Sequence, residues 1–231
     1  MFATGPANNA YLELLGEPCY ALINTRKGMN NPRTVEVMLD VTLLFSPPSL
    51  TDMLLFGKTS AGWWFDLDTV ATGTSATQSG MSFKVTRNAT ATATTAASPV
   101  FGKRITLWGR DNQTDMKAYS NGSVGSTVKT YTAAEASYSI TTDANDITLG
   151  KSGSNFTALR LHEAAIRVNG IIVFHVRPKA RMQYGDTPTI LPDLSGFGND
   201  MTISGGVINT NYLYASNWSK EMAYSGRENV G

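Results

Sequence analysis

The stretch that decides the fold is residues 103–122, which read KRITLWGRDNQTDMKAYSNG. Apolar and strand-favouring residues stand on both sides of the polar loop 110–115, a pattern typical of two antiparallel strands joined in a hairpin. Asn121-Gly122 follows, and this pair tolerates the two positive φ angles of a type I′ turn. The chain is therefore expected to reverse again into residues 123–129 and to form a β-meander.

Strand patterns extend on both sides of this meander. Residues 34–45, TVEVMLDVTLLF, alternate apolar and polar side chains, which predicts a strand with one face on the core. The run 89–98 is built from Ala and Thr and is either an edge strand or an exposed loop, because its small side chains bury little area. Further strands are predicted at 11–15, 19–23, 52–57, 62–67, 81–85, 137–141 and 147–150.

Residues 159–175, LRLHEAAIRVNGIIVFH, form the most strand-like apolar run after the hairpin. Asn169-Gly170 gives a second type I′ turn signal in their middle. A helix is the competing interpretation of LRLHEAAIR. The sequence favours the strand.

Four of these stretches, in order, resemble the concanavalin A-like, laminin-G-type jelly-roll domains. Residues 103–122 resemble the family's W-x-hydrophobic signature followed by x-D-G-x-x-x-x-x-Y-x-(D/N)-G, and 34–40 resemble its early T-x-E-x-W strand with Met38 in the aromatic position. Residues 147–150 resemble the L-x-I-G strand, and 159–168 the final G-x-I-D-E-V-R-I strand. The resemblance covers residues 30–176 and implies an all-β fold, an antiparallel two-sheet jelly-roll sandwich.

The C-terminal part carries a motif out of its usual place. Residues 193–206, DLSGFGNDMTISGG, resemble D-x-S-G-N-G-N-x-G-x-(hydrophobic)-x-G-G, which normally opens this kind of domain. A circular permutation, with 193–208 completing the sheet, explains this order, and pairing with a neighbouring subunit is the alternative. We predict an N-terminal arm and first strand over 1–20, the sandwich over 21–177 and a C-terminal extension over 178–231.

Composition narrows the classes of function. The chain is 42% apolar and 16% charged, with a net charge of +1, and no run of Lys or Arg exceeds two residues, so nucleic acid is not expected as a partner. Cys19 is the only cysteine, which excludes a disulfide within the chain. We see no signal-peptide pattern at the N-terminus and no apolar run long enough for a membrane helix.

The chemistry-bearing residues predict a protein that is not an enzyme. Enzymes of this fold that cut β-glucans carry an E-x-D-x-x-E strand, which is absent. Glu36 and Asp40 share a strand face but stand roughly 13 Å apart, too far for retaining hydrolysis. The two histidines, His162 and His175, and Cys19 make no zinc pattern. A glycoside hydrolase is the third interpretation and needs an acid pair from different strands.

Two sets of candidate binding residues remain. Adjacent strand residues face opposite ways, so one of Trp63 and Trp64 is expected to be exposed as a platform for sugar rings, with Trp218 and Tyr212 as further candidates. The metal candidates offer oxygen ligands that suit calcium and are Asp193, Asn199 and Asp200.

The resemblance, together with this composition, implies a structural or adhesive subunit of a tailed-bacteriophage virion, such as a head decoration or a tail or fibre module. Its partners would be other virion proteins, copies of itself and host surface glycans, and its location the virion. A stand-alone carbohydrate-binding lectin module is the alternative.

Overall fold

The computed structural model describes residues 10–44, 53–57, 62–72, 75–95, 100–125, 128–141, 146–178 and 189–210. One short helix, α1 (Ala133–Ser137), occurs in these residues, and the rest of the regular structure is β. The strands are β1 (Ala10–Leu14), β2 (Tyr20–Ile23), β3 (Val35–Leu43), β4 (Met53–Gly57), β5 (Trp63–Thr72), β6 (Ser75–Thr86), β7 (Thr90–Thr94), β8 (Arg104–Asp111), β9 (Asp115–Ser120), β10 (Ser123–Val124), β11 (Lys129–Thr130), β12 (Ile147–Leu149), β13 (Lys151–Ser152), β14 (Asn155–Phe156), β15 (Leu159–Val168), β16 (Ile171–Val176), β17 (Ile190–Leu191), β18 (Met201–Ser204) and β19 (Val207–Thr210).

Two antiparallel sheets form a sandwich. The first sheet has the order β10-β9-β8-β3-β15-β1-β19, with β11 also paired to β9 and β16 to β15. The second sheet has the order β17-β18-β2-β12-β4-β5-β6-β7, and β13 and β14 form a small hairpin. One continuous core lies between them, containing Leu39 and Leu107 of the first sheet and Phe65 and Phe83 of the second. The predicted jelly-roll sandwich is confirmed.

The opening hairpin has the predicted form with a shorter loop. Strands β8 and β9 pair from Leu107↔Ser120 to Asp111↔Met116. Asn121 and Gly122 follow with φ of 48° and 85°, the two positive angles that a type I′ turn requires. The meander prediction is confirmed.

Strand β3 is central in the first sheet. It pairs with β8 on one side and with β15 on the other. Its Val35, Val37, Leu39 and Val41 are fully buried in the core. Because β15 pairs with β3 along one edge and with β1 along the other, the helical interpretation of LRLHEAAIR is wrong.

Two details differ from the sequence predictions or resolve them. The strand predicted at 137–141 is wrong: Thr132 caps α1 in a reciprocal capping box with Glu135, and residues 138–141 form no strand. The Ala/Thr run contains an edge strand, β7, at the end of the second sheet.

The C-terminal segment completes both sheets within its own chain. Strand β18 pairs with β2 in the second sheet, and β19 pairs with β1 in the first. The arm residues 1–9, residues 179–188 and residues 211–231 lie outside the described part of the chain. The domain boundaries at 20 and 177 stay a prediction. Among the described residues, none of the helical structure is long and apolar enough to cross a membrane.

Candidate ligand-binding face

The surface of the first sheet that faces away from the core, here called the outward face, carries a row of side chains that crosses six strands. Cross-strand pairing defines this row, because each residue lies directly opposite the next. Their chain neighbours Leu39, Leu107 and Ala118 are fully buried in the core, so the alternation of a strand places the row on the opposite surface. The members of this central row are His175, Ala165, Met38, Trp108, Tyr119 and Val124.

Two aromatic rings form the middle of the central row. Trp108 and Tyr119 stack with ring centroids 4.4 Å apart and planes 26° apart, and both are half-buried. Beside them Met38 and Ala165 are only 5% and 2% exposed. The row therefore offers aromatic surface next to small or flexible apolar side chains, the lining that ligand sites commonly have.

Charged side chains flank the central row on one side. Two residues from the central row on each strand, four side chains lie opposite one another in register: Arg167, Glu36, Arg110 and Lys117. Arg167 Nη1 donates to Glu36 at 3.0 Å, and Arg110 Nη2 donates to Asp115 at 2.9 Å. These contacts hold both guanidinium groups in defined positions, that of Arg110 on the same strand as Trp108.

On the other side of the row, two carboxylates from different strands stand opposite each other. Asp40 of β3 and Glu163 of β15 are register partners, next to a β-bulge in β15. Arg104 binds Asp40 through both oxygens, at 2.8 and 2.6 Å. Glu163 accepts from His175 Nε2 at 2.8 Å and from Arg177 Nη2 at 2.7 Å.

Glu163 does not have the raised pKa of a glycosidase acid. Burial raises the pKa of Glu163, but the hydrogen bonds from His175 and Arg177 outweigh it and hold the pKa below its ordinary value. A glycosidase needs one carboxyl whose pKa is raised so that it can act as the acid. Glu163 is an ionised, anchored carboxylate instead.

His162 lies in the same bulge. It is 7% exposed, and its Nε2 is 3.0 Å from Thr42 Oγ1. Burial lowers its pKa to about 4, helped by the nearby positive charge of Arg104, so the ring is neutral at pH 7. Its edge contacts Tyr11, with ring centroids 5.7 Å apart.

Unsatisfied polar atoms single out the outward face. Among the described residues, four buried side-chain nitrogens have no hydrogen-bond partner: Trp108 Nε1, Arg110 Nε, His162 Nδ1 and Arg177 Nε. All four belong to the central row or to its flanking side chains. Buried polar atoms are nearly always paired, so such a concentration calls for an explanation.

The predicted aromatic platform at Trp63 and Trp64 is not exposed. The two rings take opposite sides of β5, as expected, since Trp63 belongs to the core cluster and Trp64 does not. However, they are 5% and 8% exposed. Trp64 Nε1 donates to Asp66 at 2.7 Å, and Lys84 Nζ donates to the same oxygen at 2.8 Å. The expectation that one of the two tryptophans is exposed is wrong, and their role in sugar binding stays a prediction.

The other predicted aromatic candidates, Trp218 and Tyr212, lie outside the described residues. Neither is assigned a place on the outward face. Their role in binding stays a prediction.

The predicted metal residues come together in one loop, where they bind the backbone. Asp193 Oδ1 accepts from the amides of His175 and Ser195, both at 2.9 Å, and its Oδ2 accepts from Ser195 Oγ at 2.6 Å and from the Asn199 amide at 3.0 Å. Asp200 Oδ1 accepts from the Asp193 amide at 2.8 Å.

Asn199 ties the same loop to two other parts of the chain. Its Oδ1 accepts from the Lys27 amide at 2.8 Å, and its Nδ2 donates to the carbonyls of Lys27 and Val173. Within the described part of the chain, no cluster of three or more His, Cys, Asp or Glu is arranged to hold a metal ion. The hydrogen bonds give these three residues a structural role, and the calcium site stays a prediction.

Comparison with known proteins supports the fold. No family model matches the sequence, and no curated protein does. A protein from Bacteroides ovatus ATCC 8483, provisionally assigned to carbohydrate binding, aligns with a TM-score of 0.63 at 10% identity, over 90% of this chain and 61% of its own. The chain therefore spans about three fifths of that protein.

Weaker likenesses occur in other solved structures. A heptameric SAP-like pentraxin from Limulus polyphemus aligns with a TM-score of 0.45 at 10% identity, over 71% of this chain and 77% of its own. A botulinum neurotoxin serotype D/C binding domain aligns with a TM-score of 0.42 at 12% identity, over 68% and 43%. The Bacteroides alignment carries the comparison, and it supports the two-sheet β-sandwich fold.

Sequence reasoning missed Trp108 and Tyr119 as site residues. Both lie in the stretch that decides the fold, and each alternates with buried neighbours, which was a usable signal of an outward position. The row they belong to was not readable, because its members come from strands far apart in the sequence.

Proposed function

We propose that the outward face of the first sheet binds carbohydrate. The observation that carries this proposal is the gathering of the four unpartnered nitrogens around the central row. Three of them, Trp108 Nε1, Arg110 Nε and Arg177 Nε, can only donate. Trp108 Nε1 and Arg110 Nε lie two residues apart on one strand, and a ligand rich in oxygen acceptors, such as a carbohydrate, offers the acceptors that both lack.

The aromatic pair supports the same ligand class. Trp and Tyr combine apolar ring surface with a polar edge, which suits a molecule that has both apolar C–H surfaces and hydroxyl groups. Trp108 offers its ring in the central row and an indole N–H without a partner. The face as a whole has the lining of a binding site: aromatic and apolar side chains with a few fixed polar groups.

The charged groups beside the row are already oriented. Asp40 is held by two bonds from Arg104, and Glu163 by His175 and Arg177. Binding therefore loses little side-chain entropy, which favours affinity. The carbohydrate binding provisionally assigned to the Bacteroides ovatus protein of the same fold is consistent with this proposal.

A glycan array followed by calorimetry tests the proposal. We expect the wild-type protein to bind at least one glycan and Trp108→Ala to lose about tenfold or more in affinity, since it removes both ring and donor. Tyr119→Ala serves as a second variant in case Trp108→Ala folds poorly. Tyr138→Ala is the control, because Tyr138 follows α1, is 47% exposed and is not part of the central row. A flat array, or binding that Trp108→Ala and Tyr138→Ala affect equally, contradicts the proposal.

The virion role is a further prediction about where such a module works. The interpretation as a phage structural or adhesive subunit, its virion partners and its self-association rest on the sequence resemblance alone. Carbohydrate binding, the alternative that the sequence suggested, is the function that the geometry supports better.

A further inference from the structure

Four arginines on the outward face each form an ion pair with a different carboxylate. Each pair joins one arginine of the face to a carboxylate of its own: Arg104–Asp40, Arg160–Glu13, Arg167–Glu36 and Arg177–Glu163. Asp115 serves two side chains that are both charged at neutral pH, Arg110 and Lys117. Among the described residues, one positive charge is therefore in excess on this face.

The excess cation lies next to the aromatic pair. Arg110 follows Trp108 by two residues on β8, and Lys117 precedes Tyr119 by two residues on β9, so both are on the outward face. Arg110 Nη2 and Lys117 Nζ are 2.9 and 2.7 Å from Asp115 oxygens. Their side chains are 27% and 30% exposed, which leaves them accessible to a ligand.

Asp115 does not neutralise both cations. Burial raises its pKa, but the hydrogen bonds from Lys117 and Arg110 outweigh this and hold the pKa below its ordinary value, so Asp115 carries one full negative charge at pH 7. Two positive charges and one negative charge then share the site. In addition, Arg110 Nε is buried and unpartnered.

The two unpartnered nitrogens near Lys117 and Asp115 are both hydrogen-bond donors. Trp108 Nε1 and Arg110 Nε lie on the same strand, two residues apart and on the same face. A carboxylate or sulfate group accepts hydrogen bonds without offering any, and its bonds to a guanidinium are roughly twice as strong as neutral ones. A neutral hydroxyl would leave the excess charge uncompensated.

We propose that the carbohydrate bound here is anionic, and that a carboxylate or sulfate group of the sugar binds to Lys117 and Arg110 beside the ring of Trp108. This inference rests on the proposed function and names its ligand class. Lys117 supplies the unmatched charge, and Arg110, held in place by Asp115, supplies directed donors.

Two matched pairs of polymers test the inference. Polygalacturonate is compared with its methyl ester, and dextran sulfate with dextran, so that each pair differs in charge on a common backbone. Binding is measured by affinity electrophoresis at two salt concentrations. We expect the charged member of at least one pair to bind about tenfold or more tightly than its neutral partner, and salt to weaken that binding. Tighter binding of polygalacturonate than of its methyl ester indicates a carboxylate ligand, and tighter binding of dextran sulfate than of dextran indicates a sulfate ligand.

A lysine substitution locates the effect. Lys117→Gln leaves the Arg110–Asp115 pair in place and should weaken binding of the charged polymer by about three- to tenfold, with no change for a neutral glycan. Lys103→Gln is the matched control, since Lys103 is an exposed lysine in the turn before β8 and not part of the flanking rows. Charged binding that both variants reduce equally is a nonspecific charge effect and overturns the inference.

The outcomes separate this inference from the proposed function. A neutral glycan that binds through Trp108 as tightly as its charged partner overturns the anionic ligand and leaves carbohydrate binding in place. Absence of binding to all four polymers, together with a flat glycan array, contradicts both.

Discussion

Phe83 of the second sheet packs directly against Gly109 of the first, so closely that a Cβ on Gly109 would lie 2.4 Å from the ring. The two sheets meet here without an intervening side chain. We expect Gly109→Ala to cost about 1–3 kcal/mol of unfolding free energy, because the ring cannot move within a packed core. Urea denaturation measures this cost. Gly80→Ala is the control, since a Cβ there meets nothing within 4 Å; equal effects of the two variants would show that Gly109 is not a tight contact.

The buried ion pair at the end of β8 should be essential for stability. Arg87 binds both oxygens of Asp111, and their side chains are 2% and 0% exposed. Arg87→Met leaves a buried carboxylate without its cation and is expected to destabilise the protein by about 3–5 kcal/mol.

The exposed pair Lys129–Glu135 provides the comparison, since both its side chains are more than a third exposed. Lys129→Gln should cost less than about 1 kcal/mol in the same denaturation experiment. The double variant Arg87→Met/Asp111→Leu should recover part of the loss, and no recovery would mean that the pair acts through shape and not through charge.

His162 should make stability depend on pH in the weakly acidic range. Its pKa is about 4 in the folded protein and about 6.5 when unfolded, so the unfolded state takes up the proton first as the pH falls. Stability should therefore decrease from pH 6.5 downwards, and this component should level off below about pH 4. His162→Gln, whose amide can still bind Thr42, should lose less stability between pH 7 and pH 5 than the wild type. Parallel curves would assign the effect to other groups.

The loop around Asp193 should be stabilised by hydrogen bonds, with or without calcium. Asp193→Ala removes the acceptor of four hydrogen bonds and is expected to lower the unfolding free energy by about 1–3 kcal/mol. Asp146→Ala, at an exposed aspartate, serves as the control. Thermal melting is measured with calcium and with chelator; a calcium-dependent rise in melting temperature that Asp193→Ala abolishes would support the predicted metal site instead.

The indole N–H of Trp108 should contribute to ligand affinity separately from its ring. Trp108→Phe keeps an aromatic side chain opposite Tyr119 but removes the donor. We expect it to bind the ligand about 5- to 20-fold more weakly than the wild type, the cost of one lost hydrogen bond, and more tightly than Trp108→Ala. Calorimetry with the glycan found on the array measures the difference, and equal affinities of Trp108→Phe and wild type would exclude the donor role.

Local patterns predicted most of the fold. Two turns were predicted correctly, at Asn121-Gly122 and Asn169-Gly170, because only a few residues tolerate two successive positive φ angles. All four residues have a positive φ in the structure. The alternation of apolar and polar residues in 34–45 correctly predicted strand β3. The missed helix had its own local signal, since Thr132 and Glu135 have the spacing of a capping box.

The candidate site was less predictable, for a physical reason. Whether Trp64 is exposed depends on which side chains cover the second sheet. Its position next to Trp63 in the sequence shows only that the two rings point to opposite sides of the strand. The acid pair Asp40 and Glu163 depends on the register between strands about 120 residues apart in the sequence, and a one-residue bulge at His162 sets that register. Period-2 patterns describe one strand and carry no information on which strand lies beside it.

Strand β1 pairs with β15 and β19, whose residues follow it in the chain by about 150 to 200 positions. During synthesis the N-terminal strand therefore leaves the ribosome long before either neighbour exists. The first sheet can close only after residues 207–210 have emerged, so the sandwich forms late and through contacts of high sequence separation, which fold slowly. Until then the apolar strands of the nascent chain expose unpaired edges, and this protein should depend on chaperones, or on cool and dilute conditions, to reach its native state in good yield.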